Sequence, residues 1–484
     1  MTTYFTTPGH AADSPQPDLT AFPADFVWGV ATAAYQIEGA ADEGGRGPSI
    51  WDTFSHTPGR THRGDTGDTA CDHYHRWQAD LDLMAELGVD SYRLSVSWSR
   101  LQPVGEGPLN AEAVTFYREL LTGLHARGIR PFVTLYHWDL PQPLEDQGGW
   151  PARATAERFA DYARRTVEAL GDLADDWITL NEPWCSAFLG YGYGPHAPGR
   201  TDLRAATAAS HHLNLAHGLA VSAIREVAPD AKVGITNIVT DVVPASDSVA
   251  DLAAADRLDA VSNRVFLDPV YLGAYSAGVH EQLDPHGLAD LVHEGDLAAI
   301  AQPVDFAGVN HYQRVIARDV PQSAAHPFAV EETPAQPATT SFGWSVIPDS
   351  LHAVLTRVAR DYTPLPLYVT ESGASFVDYV DPEGGIDDIE RIDYLAGYFD
   401  AAGRAIRDGV DLRGYFVWSL LDNFEWGEGY SKRFGIVYVD YRTQQRLPKA
   451  SAHWYRALIA QHAQHARLQD RTTPASATVE AAHG

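Results

Sequence analysis

Cysteine is almost absent from this 484-residue chain, which has only Cys71 and Cys185 and no CxxC pair. Two cysteines cannot build a disulfide framework, so a reducing compartment is the simplest setting. Residues 1–20 contain no basic segment followed by an apolar run, so we expect no signal peptide. No run of about 18 apolar residues exists that could cross a membrane. These absences together predict a cytoplasmic protein.

Basic residues are also scarce, with 35 Lys and Arg against 64 Asp and Glu and a formal net charge of −29. Such a charge repels the phosphates of nucleic acids and the surface of anionic membranes, so we expect neither as a partner. Aromatic residues, by contrast, are plentiful, with 12 Trp and 22 Tyr. Most of them are expected in the core, although aromatic faces also suit the apolar faces of sugar rings.

Motifs of several catalytic classes are missing. His293-Glu294 is not followed by the second histidine of HExxH, and no GxSxG nucleophile elbow is present. GYGYGP (190–195) lacks the spacing of a dinucleotide-binding loop. Histidines 73 and 75, and 211, 212 and 217, lie on predicted helices, where packing is a commoner role than metal binding. We therefore predict no metal and no cofactor.

Eight short apolar segments alternate with helical patterns through the chain. The segments cover 26–33, 91–98, 130–137, 176–183, 232–238, 306–312, 367–373 and 414–420, and helical patterns cover 74–87, 111–127, 155–170, 205–228 and 390–408. Eight such units favour an α/β fold with one (β/α)8 TIM barrel over an open doubly wound sheet. We predict a flexible arm over 1–20, the barrel over 21–465 and a flexible tail over 466–484.

Polar or aromatic residues lie at the C-terminal ends of all eight predicted strands. In chain order they are Gln36 and Glu38, Arg93 and Trp98, His137 and Trp138, Asn181 and Glu182, Asn237, Asn310 and Tyr312, Glu371, and Trp418. Active sites of TIM barrels are built at this end of the strands. One such residue has little meaning, but residues from eight strands predict a site in the barrel mouth.

Two of these residues, Glu182 and Glu371, are carboxylates that each follow an apolar strand. Either one alone would more often be a salt-bridge or loop residue. Facing each other, they would form the pair that glycoside hydrolysis needs, about 5–5.5 Å apart for retention and about 6.5–9.5 Å apart for inversion. Arg93 and Tyr312 are candidates to keep Glu371 ionised, whereas Glu182 has no cation nearby in the sequence.

Six motifs, in order, resemble glycoside hydrolase family 1, the β-glucosidase type, from about residue 22 to 462. They are FVWGVATAAYQIEGA (26–40), YHWDLP (136–141), TLNEP (179–183), GVNHY (308–312), TESG (370–373) and WSLLDNFEW (418–426). The resemblance implies a retaining β-glycosidase active in carbohydrate metabolism and cellulose degradation. It would release terminal non-reducing β-D-glucosyl, and also β-galactosyl or β-fucosyl, residues from oligosaccharides such as cellobiose and from aryl or alkyl glycosides.

The resemblance also implies residue roles. Glu182 would be the acid/base and Glu371 the nucleophile that forms a covalent glycosyl-enzyme, with Arg93 and Tyr312 orienting Glu371. The implied substrate-binding residues are Asn181 at the 2-hydroxyl, Asn310 beside the acid/base, Gln36, His137, Glu425 and Trp426 at the 3-, 4- and 6-hydroxyls, Trp418 beneath the sugar, and Trp138, Tyr312 and Phe434. Trp344 would be an aglycone platform, with a loop-anchoring role as its alternative.

Departures from the family pattern leave alternatives open. Ser372 stands where the family usually has Asn, and His311 where Tyr is commoner. Family members that act on sugar 6-phosphates resemble this chain less, because they carry Ser at the position of Glu425 and Tyr at that of Phe434. A 6-phospho-β-glycosidase and a non-catalytic sugar-binding barrel are the alternatives. The sequence does not indicate the oligomeric state.

Overall fold

Eight parallel strands form a closed barrel in which each strand pairs with the next along the chain and the last with the first. The computed structural model of the protein describes residues 4–5, 16–335 and 340–472, except for the side chains of 469–472. The barrel strands are β1 (Val27–Ala31), β2 (Ser91–Ser95), β3 (Arg130–Tyr136), β4 (Asp176–Asn181), β5 (Lys232–Ile238), β6 (Phe306–Asn310), β7 (Leu367–Ser372) and β8 (Leu412–Trp418). The predicted (β/α)8 barrel is confirmed.

Eight long helices accompany the strands. They are α1 (His73–Leu87), α2 (Ala111–His125), α3 (Ala154–Leu170), α4 (Leu203–Val227), α5 (Val249–Asp259), α6 (Pro348–Asp361), α7 (Ile389–Arg407) and α8 (Ala450–Thr472). Asn110 begins α2 by accepting a hydrogen bond from the Glu112 amide, as expected of an N-cap. The chain turns after α2 at Gly128, whose φ of +71° favours glycine.

Shorter elements fill the connections. Short α-helices cover Ala34–Ile37, Ile50–Ser55, Trp98–Leu101, Gln142–Glu145, Val265–Leu267, Ala277–Leu283, Leu288–Leu291 and Asp296–Ile300. π-Helical turns cover Cys185–Tyr193, Ala260–Arg264 and Asp268–Leu272, and 3₁₀ turns cover Leu19–Ala21, His62–Gly64, Asp284–His286 and Trp426–Glu428. Strands Asp241–Pro244, Arg314–Asp319 and Val330–Pro334 form one small sheet, and Val437–Asp440 pairs with Gln445–Pro448.

Aromatic rings fill the interior of the barrel. Phe132 packs against Phe306 and Phe416, with ring centroids 5.8 and 5.0 Å apart. Glycines make room for them, because a Cβ on Gly29 would lie 2.4 Å from the Phe416 ring and one on Gly234 would lie 2.5 Å from the Phe306 ring. These fully or almost fully buried rings fill the barrel, which leaves its mouth as the place where strand-end residues could meet a ligand.

Described residues also lie near both ends of the chain. Helix α8 continues to Thr472, and Phe5 packs on His453 with ring centroids 5.0 Å apart. Residues 1–3, 6–15 and 473–484, which make up most of the predicted arm and tail, lie outside the described residues. Among the helices that are described, none combines the length and the apolarity needed to cross a membrane.

Candidate active site

A cleft of about 570 Å³ opens at the C-terminal ends of the barrel strands, a volume typical of small-molecule sites. Ten of the predicted site residues line it: His137, Trp138, Glu182, Tyr312, Trp344, Glu371, Trp418, Glu425, Trp426 and Phe434. The other four, Gln36, Arg93, Asn181 and Asn310, lie behind this wall and contact residues that line it. The structure therefore brings the whole predicted set together.

Glu371 is held by two donors from neighbouring parts of the barrel. Arg93 Nη1 donates to its Oε1, and the Tyr312 hydroxyl donates to its Oε2 at 2.8 Å. Arg93 and Glu371 are 1% and 3% exposed, so this ion pair is shielded from water. A guanidinium and a hydroxyl on its two oxygens orient the carboxylate and balance its charge.

Among the described residues, no cation contacts the carboxyl group of Glu182. Asn310 Nδ2 donates to Oε1 at 2.7 Å, and Cys185 Sγ lies 3.3 Å from Oε2. Burial, and next the negative charge of Glu371, raise the pKa of Glu182 to about 8. Glu182 is therefore protonated at neutral pH, so one carboxyl can give a proton while the other carries charge.

Asn181 connects the two carboxyls through a buried network. Its Oδ1 accepts from Arg93 Nη2 at 2.6 Å and from Asn310 Nδ2 at 3.0 Å. Its Nδ2 lies 3.0 Å from His137 Nε2. Burial and the charge of Arg93 lower the pKa of His137 well below its ordinary value, so the neutral ring accepts at Nε2. This leaves a hydrogen on His137 Nδ1, which has no partner among the described residues.

Gln36 and Glu425 meet at the opposite side of the cleft. Gln36 Nε2 donates to Asn423 Oδ1 at 3.0 Å and to the Phe424 carbonyl at 2.9 Å, and it lies 3.5 Å from Glu425 Oε2. Within the described residues, the buried Gln36 Oε1 has no donor. Burial, followed by the charges of Glu371 and Glu182, raises the pKa of Glu425 well above its ordinary value. Unpartnered polar atoms at this depth are the groups that ligand hydroxyls would satisfy.

Aromatic side chains form the remaining walls. Trp138 packs against Trp426 with ring centroids 4.6 Å apart, and its Nε1 donates to the Asn181 carbonyl at 3.0 Å. Trp418 stacks on His137 at 5.8 Å with an interplanar angle of 16°. Trp344 lies beside Tyr312, with centroids 5.2 Å apart, and belongs to an outer aromatic group with Phe342 and Phe434.

Comparison with known proteins identifies this arrangement. The model of the family described as glycosyl hydrolase family 1 matches residues 19–464. The chain belongs to glycosyl hydrolase family 1. Beta-glucosidase A of Thermotoga maritima is 46% identical over 442 residues, which cover 90% of this chain and 97% of that protein. The bifunctional beta-D-glucosidase/beta-D-fucosidase of Bifidobacterium breve is 47% identical over 463 residues, which cover 91% and 98%.

A solved family 1 structure agrees closely with the fold. The beta-glucosidase of Thermotoga maritima in complex with deoxynojirimycin has a TM-score of 0.88 and 45% identity, covering 91% of this chain and 99% of that chain. These comparisons confirm the family, the enzyme class and the barrel that the six motifs predicted.

The two departures from the usual family 1 pattern lie behind the cleft. The Ser372 hydroxyl is 3.0 Å from the Tyr394 hydroxyl and fully buried. His311 lies between the Val239 carbonyl, 2.8 Å from its Nδ1, and the Ser350 hydroxyl, 2.6 Å from its Nε2. Neither residue lines the cleft. Both departures therefore lie behind the wall of the cleft and not in it.

Sequence reasoning missed several residues that line the cleft. Trp184 stacks on Phe188 with centroids 5.9 Å apart, and Glu332 projects from the small outer sheet. Cys185 donates to Glu182, although the sequence assigned it no role. The position of Cys185, three residues after Glu182, could have indicated this contact. Glu332 gave no such indication, because it lies 150 residues after Glu182 along the chain.

Some strand-end residues and histidines serve the scaffold instead. Glu38 accepts from Arg100 and Tyr117, and Trp98 stacks on Tyr162. His73, His211 and His217 are hydrogen-bonded to Asp80, Asp296 and Thr179, respectively. Across the described ranges, no group of three or more His, Cys, Asp or Glu side chains could hold a metal ion.

Proposed function

We propose that the chain is a retaining β-glucosidase that hydrolyses terminal non-reducing β-D-glucosyl residues of short oligosaccharides and of aryl or alkyl glycosides. The observation that carries this proposal is the contrast between two buried carboxyls in one cleft. Glu371 is paired with Arg93 and Tyr312, whereas Glu182 has a pKa of about 8. A charged nucleophile beside a neutral acid is the state that the first step of retaining glycoside hydrolysis needs.

In the first step, Glu371 attacks the anomeric carbon and Glu182 gives its proton to the leaving glycosidic oxygen. The C–O bond to the aglycone breaks, and a glycosyl ester forms on Glu371. Arg93 and Tyr312 hold the attacking carboxylate, each through one of its oxygens. Asn310 holds Glu182 through Oε1 and leaves Oε2 for the proton.

The second step reverses the role of Glu182. Part of its raised pKa comes from the charge of Glu371, and ester formation removes that charge. The pKa of Glu182 then falls, so the side chain, which gave its proton to the aglycone in the first step, remains as a carboxylate. In that form it accepts a proton from the water that attacks the ester, and free sugar and both carboxyls are regenerated.

The unsatisfied polar atoms supply the proposed sugar subsite. His137 Nδ1 and Gln36 Oε1 lack partners among the described residues and lie beside Trp418 and Glu425, respectively. We assign the 2-hydroxyl to Asn181, the 3-, 4- and 6-hydroxyls to Gln36, His137, Glu425 and Trp426, and the floor to Trp418. Trp138 and Phe434 complete the wall, and Trp344 borders the aglycone side.

Two observations disfavour a sugar 6-phosphate as substrate. Glu428 lines the cleft and would repel a phosphate. Lys432, which could attract one, donates to the Ser341 carbonyl at 2.6 Å and lies 3.9 Å from Glu428. β-Fucosides and β-galactosides are further proposed substrates, the former because the Bifidobacterium breve relative is named for both activities. Cellulose degradation, cytoplasmic location and the predicted domain limits stay predictions.

Chemical rescue tests the proposed roles. The parent protein should release aryl alcohol from an aryl β-glucoside, and Glu371→Gly should lose this hydrolysis. Added azide should restore turnover of Glu371→Gly and give α-glucosyl azide, whereas Glu182→Ala with azide should give the β-azide. The control Glu331→Gln changes a carboxyl that pairs with Arg318 outside the cleft, and it should keep full hydrolysis.

Three results would contradict the proposal. An α-azide from the Glu182 variant would exchange the two roles. Retained hydrolysis by well-folded Glu371→Gly would exclude Glu371 as nucleophile. No release by well-folded parent protein from any aryl β-glycoside would favour the non-catalytic sugar-binding barrel.

A further inference from the structure

Cys185 is the second hydrogen-bond donor to Glu182. Its Sγ lies 3.3 Å from Glu182 Oε2, while Asn310 Nδ2 lies 2.7 Å from Oε1. Among the described residues, no third side chain donates to this carboxyl group. The thiol is 5% exposed and lines the cleft. The thiol and the carboxyl it contacts therefore both lie in the wall of the cleft.

The local backbone keeps the two side chains together. Glu182 has a φ of +46°, and the Cys185 amide donates to the Glu182 carbonyl at 2.9 Å. Cys185 is also the first residue of the π-helical turn Cys185–Tyr193. The distance from the sulfur to the carboxyl is thus set within a single turn of chain.

The hydrogen-bond partners indicate which oxygen of Glu182 carries the acid proton. The amide nitrogen of Asn310 can only donate, so Oε1 must accept and cannot carry a hydrogen directed at that nitrogen. Oε2 faces the weaker of the two donors, the Cys185 thiol, so we place the proton of the neutral acid on Oε2. This is the oxygen beside Cys185 Sγ, so the thiol contacts the atom that gives and later receives the proton.

The thiol itself remains protonated. Burial, and next the charge of Glu182, raise the pKa of Cys185 well above its ordinary value. Its S–H is therefore available at every working pH. When Oε2 carries a proton, the thiol is at best a weak acceptor, but when Glu182 is ionised the S–H donates to a full negative charge.

We propose that Cys185 is a positioning residue that selectively stabilises the ionised form of Glu182, the form that acts as base in the second step. This inference rests on the proposed role of Glu182 as acid/base. The role of the thiol then differs between the two steps, because its hydrogen bond to Glu182 strengthens only after Glu182 has lost its proton.

The other charges around Glu182 come from separate elements. Glu371 on β7 and Glu425 after β8 are acidic, and Arg93 on β2 is basic. Burial keeps His137 neutral, and burial and the charge of Glu371 keep the Tyr312 phenol protonated. Substitution of Cys185 leaves all of these groups in place, so a change in the titration of Glu182 reports on the thiol.

The test is the pH dependence of kcat/KM for an aryl β-glucoside. Its basic limb reports loss of the Glu182 proton. In Cys185→Ala, that limb should move to higher pH by about 0.5 to 1 unit, as expected from loss of one hydrogen bond to a charge. In Cys185→Ser, the hydroxyl is a stronger donor, so the limb should stay at or below that of the parent.

A matched control and a second substitution complete the design. Cys71→Ala removes the other buried thiol, whose Sγ donates to the Asp422 carbonyl at 3.1 Å, and the basic limb should stay where it is in the parent. If Cys185→Ala does not fold by circular dichroism, Cys185→Val removes the donor while filling the space and has the same expected shift.

Two outcomes would overturn the inference. In one, the basic limb stays at the parent pH in both Cys185→Ala and Cys185→Val. In the other, Cys185→Ala and Cys185→Ser both move the basic limb in the same direction. Glu182→Gln, measured alongside, separates this failure from failure of the proposed function. If Glu182→Gln keeps both activity and the basic limb, Glu182 is not the acid. If it loses them while the Cys185 variants match the parent, only the inference about Cys185 is wrong.

Discussion

Neutralising Glu371 should lower the pKa of Glu182, and this prediction tests the electrostatic part of the mechanism directly. Glu371→Gln keeps the shape of the side chain but removes its charge, as ester formation would do. In the proposed mechanism, Glu182 would thereby change from the pKa of the first-step acid to that of the second-step base. Arg93 stays in place, and its positive charge should lower the pKa of Glu182 further once Glu371 no longer balances it.

The size of the effect can be worked out from the site. The pKa of Glu182 is raised from 4.5 to about 8, a rise that corresponds to about 5 kcal/mol at about 1.4 kcal/mol per unit. Burial contributes most, and the charge of Glu371 comes second. At the retaining separation of about 5.5 Å and an effective dielectric constant of about 20, two charges interact by about 3 kcal/mol. That equals about 2 pKa units, so Glu182 should titrate near pH 6 in Glu371→Gln.

Carboxyl-¹³C NMR of glutamate-labelled protein would measure this titration, with the Glu182 resonance assigned by its absence in Glu182→Gln. The control Glu332→Gln removes a cleft carboxyl on the outer sheet, and it should shift the Glu182 titration far less. A Glu182 pKa that is the same in Glu371→Gln as in the parent would refute the interaction on which the change of role depends.

Three further predictions follow from the same contacts. The folded protein holds Glu182 protonated from about pH 4.5 to about pH 8, whereas the unfolded chain does not, so the stability of the parent falls as the pH rises across this window. In thermal scans, the Tm of Glu182→Gln should therefore exceed that of the parent by an amount that grows from pH 5 to pH 8. Lysine lacks the planar guanidinium with which Arg93 contacts both Glu371 and Asn181, so Arg93→Lys should lower kcat/KM for an aryl β-glucoside by about 100-fold while circular dichroism stays unchanged. A kcat/KM within threefold of the parent value would contradict this prediction. Lys449→Met leaves the buried Asp378 and Asp422 without their shared ammonium and should cost about 3–5 kcal/mol in urea unfolding. The matched variant Arg118→Met breaks an exposed ion pair and should lower the stability far less.

Local patterns explain why the barrel was predictable. The barrel strands are short and almost wholly buried, and the apolar and β-branched residues in them are visible without knowledge of the fold. Because all eight strands are parallel, residues that follow them must reach the same end of the barrel. The meeting of Glu182, Glu371, Asn310 and Trp418 therefore followed from counting strands.

The outer wall of the cleft was not predictable in the same way. Glu332 and Phe342 come from a connection between β6 and β7 that carries its own two strands, and no periodic pattern places such a segment over the barrel mouth. Cys185 illustrates the limit even near a motif. The sequence shows that Cys185 lies three residues after Glu182. The direction of its side chain, however, depends on the positive φ of Glu182 and on the π-helical turn that follows.

The sequence by itself determined the family, the barrel and the identity of the two carboxyls, because these depend on local composition and on the order of the strands. Only the tertiary structure decided how the carboxyls differ. Chemically they are the same side chain, and their contrast arises from burial and from partners distant in sequence: Arg93 and Tyr312 on Glu371, and Asn310 on Glu182. A pKa is a property of the folded surroundings of a group, so the proposed assignment of acid and nucleophile depends on the packed barrel mouth.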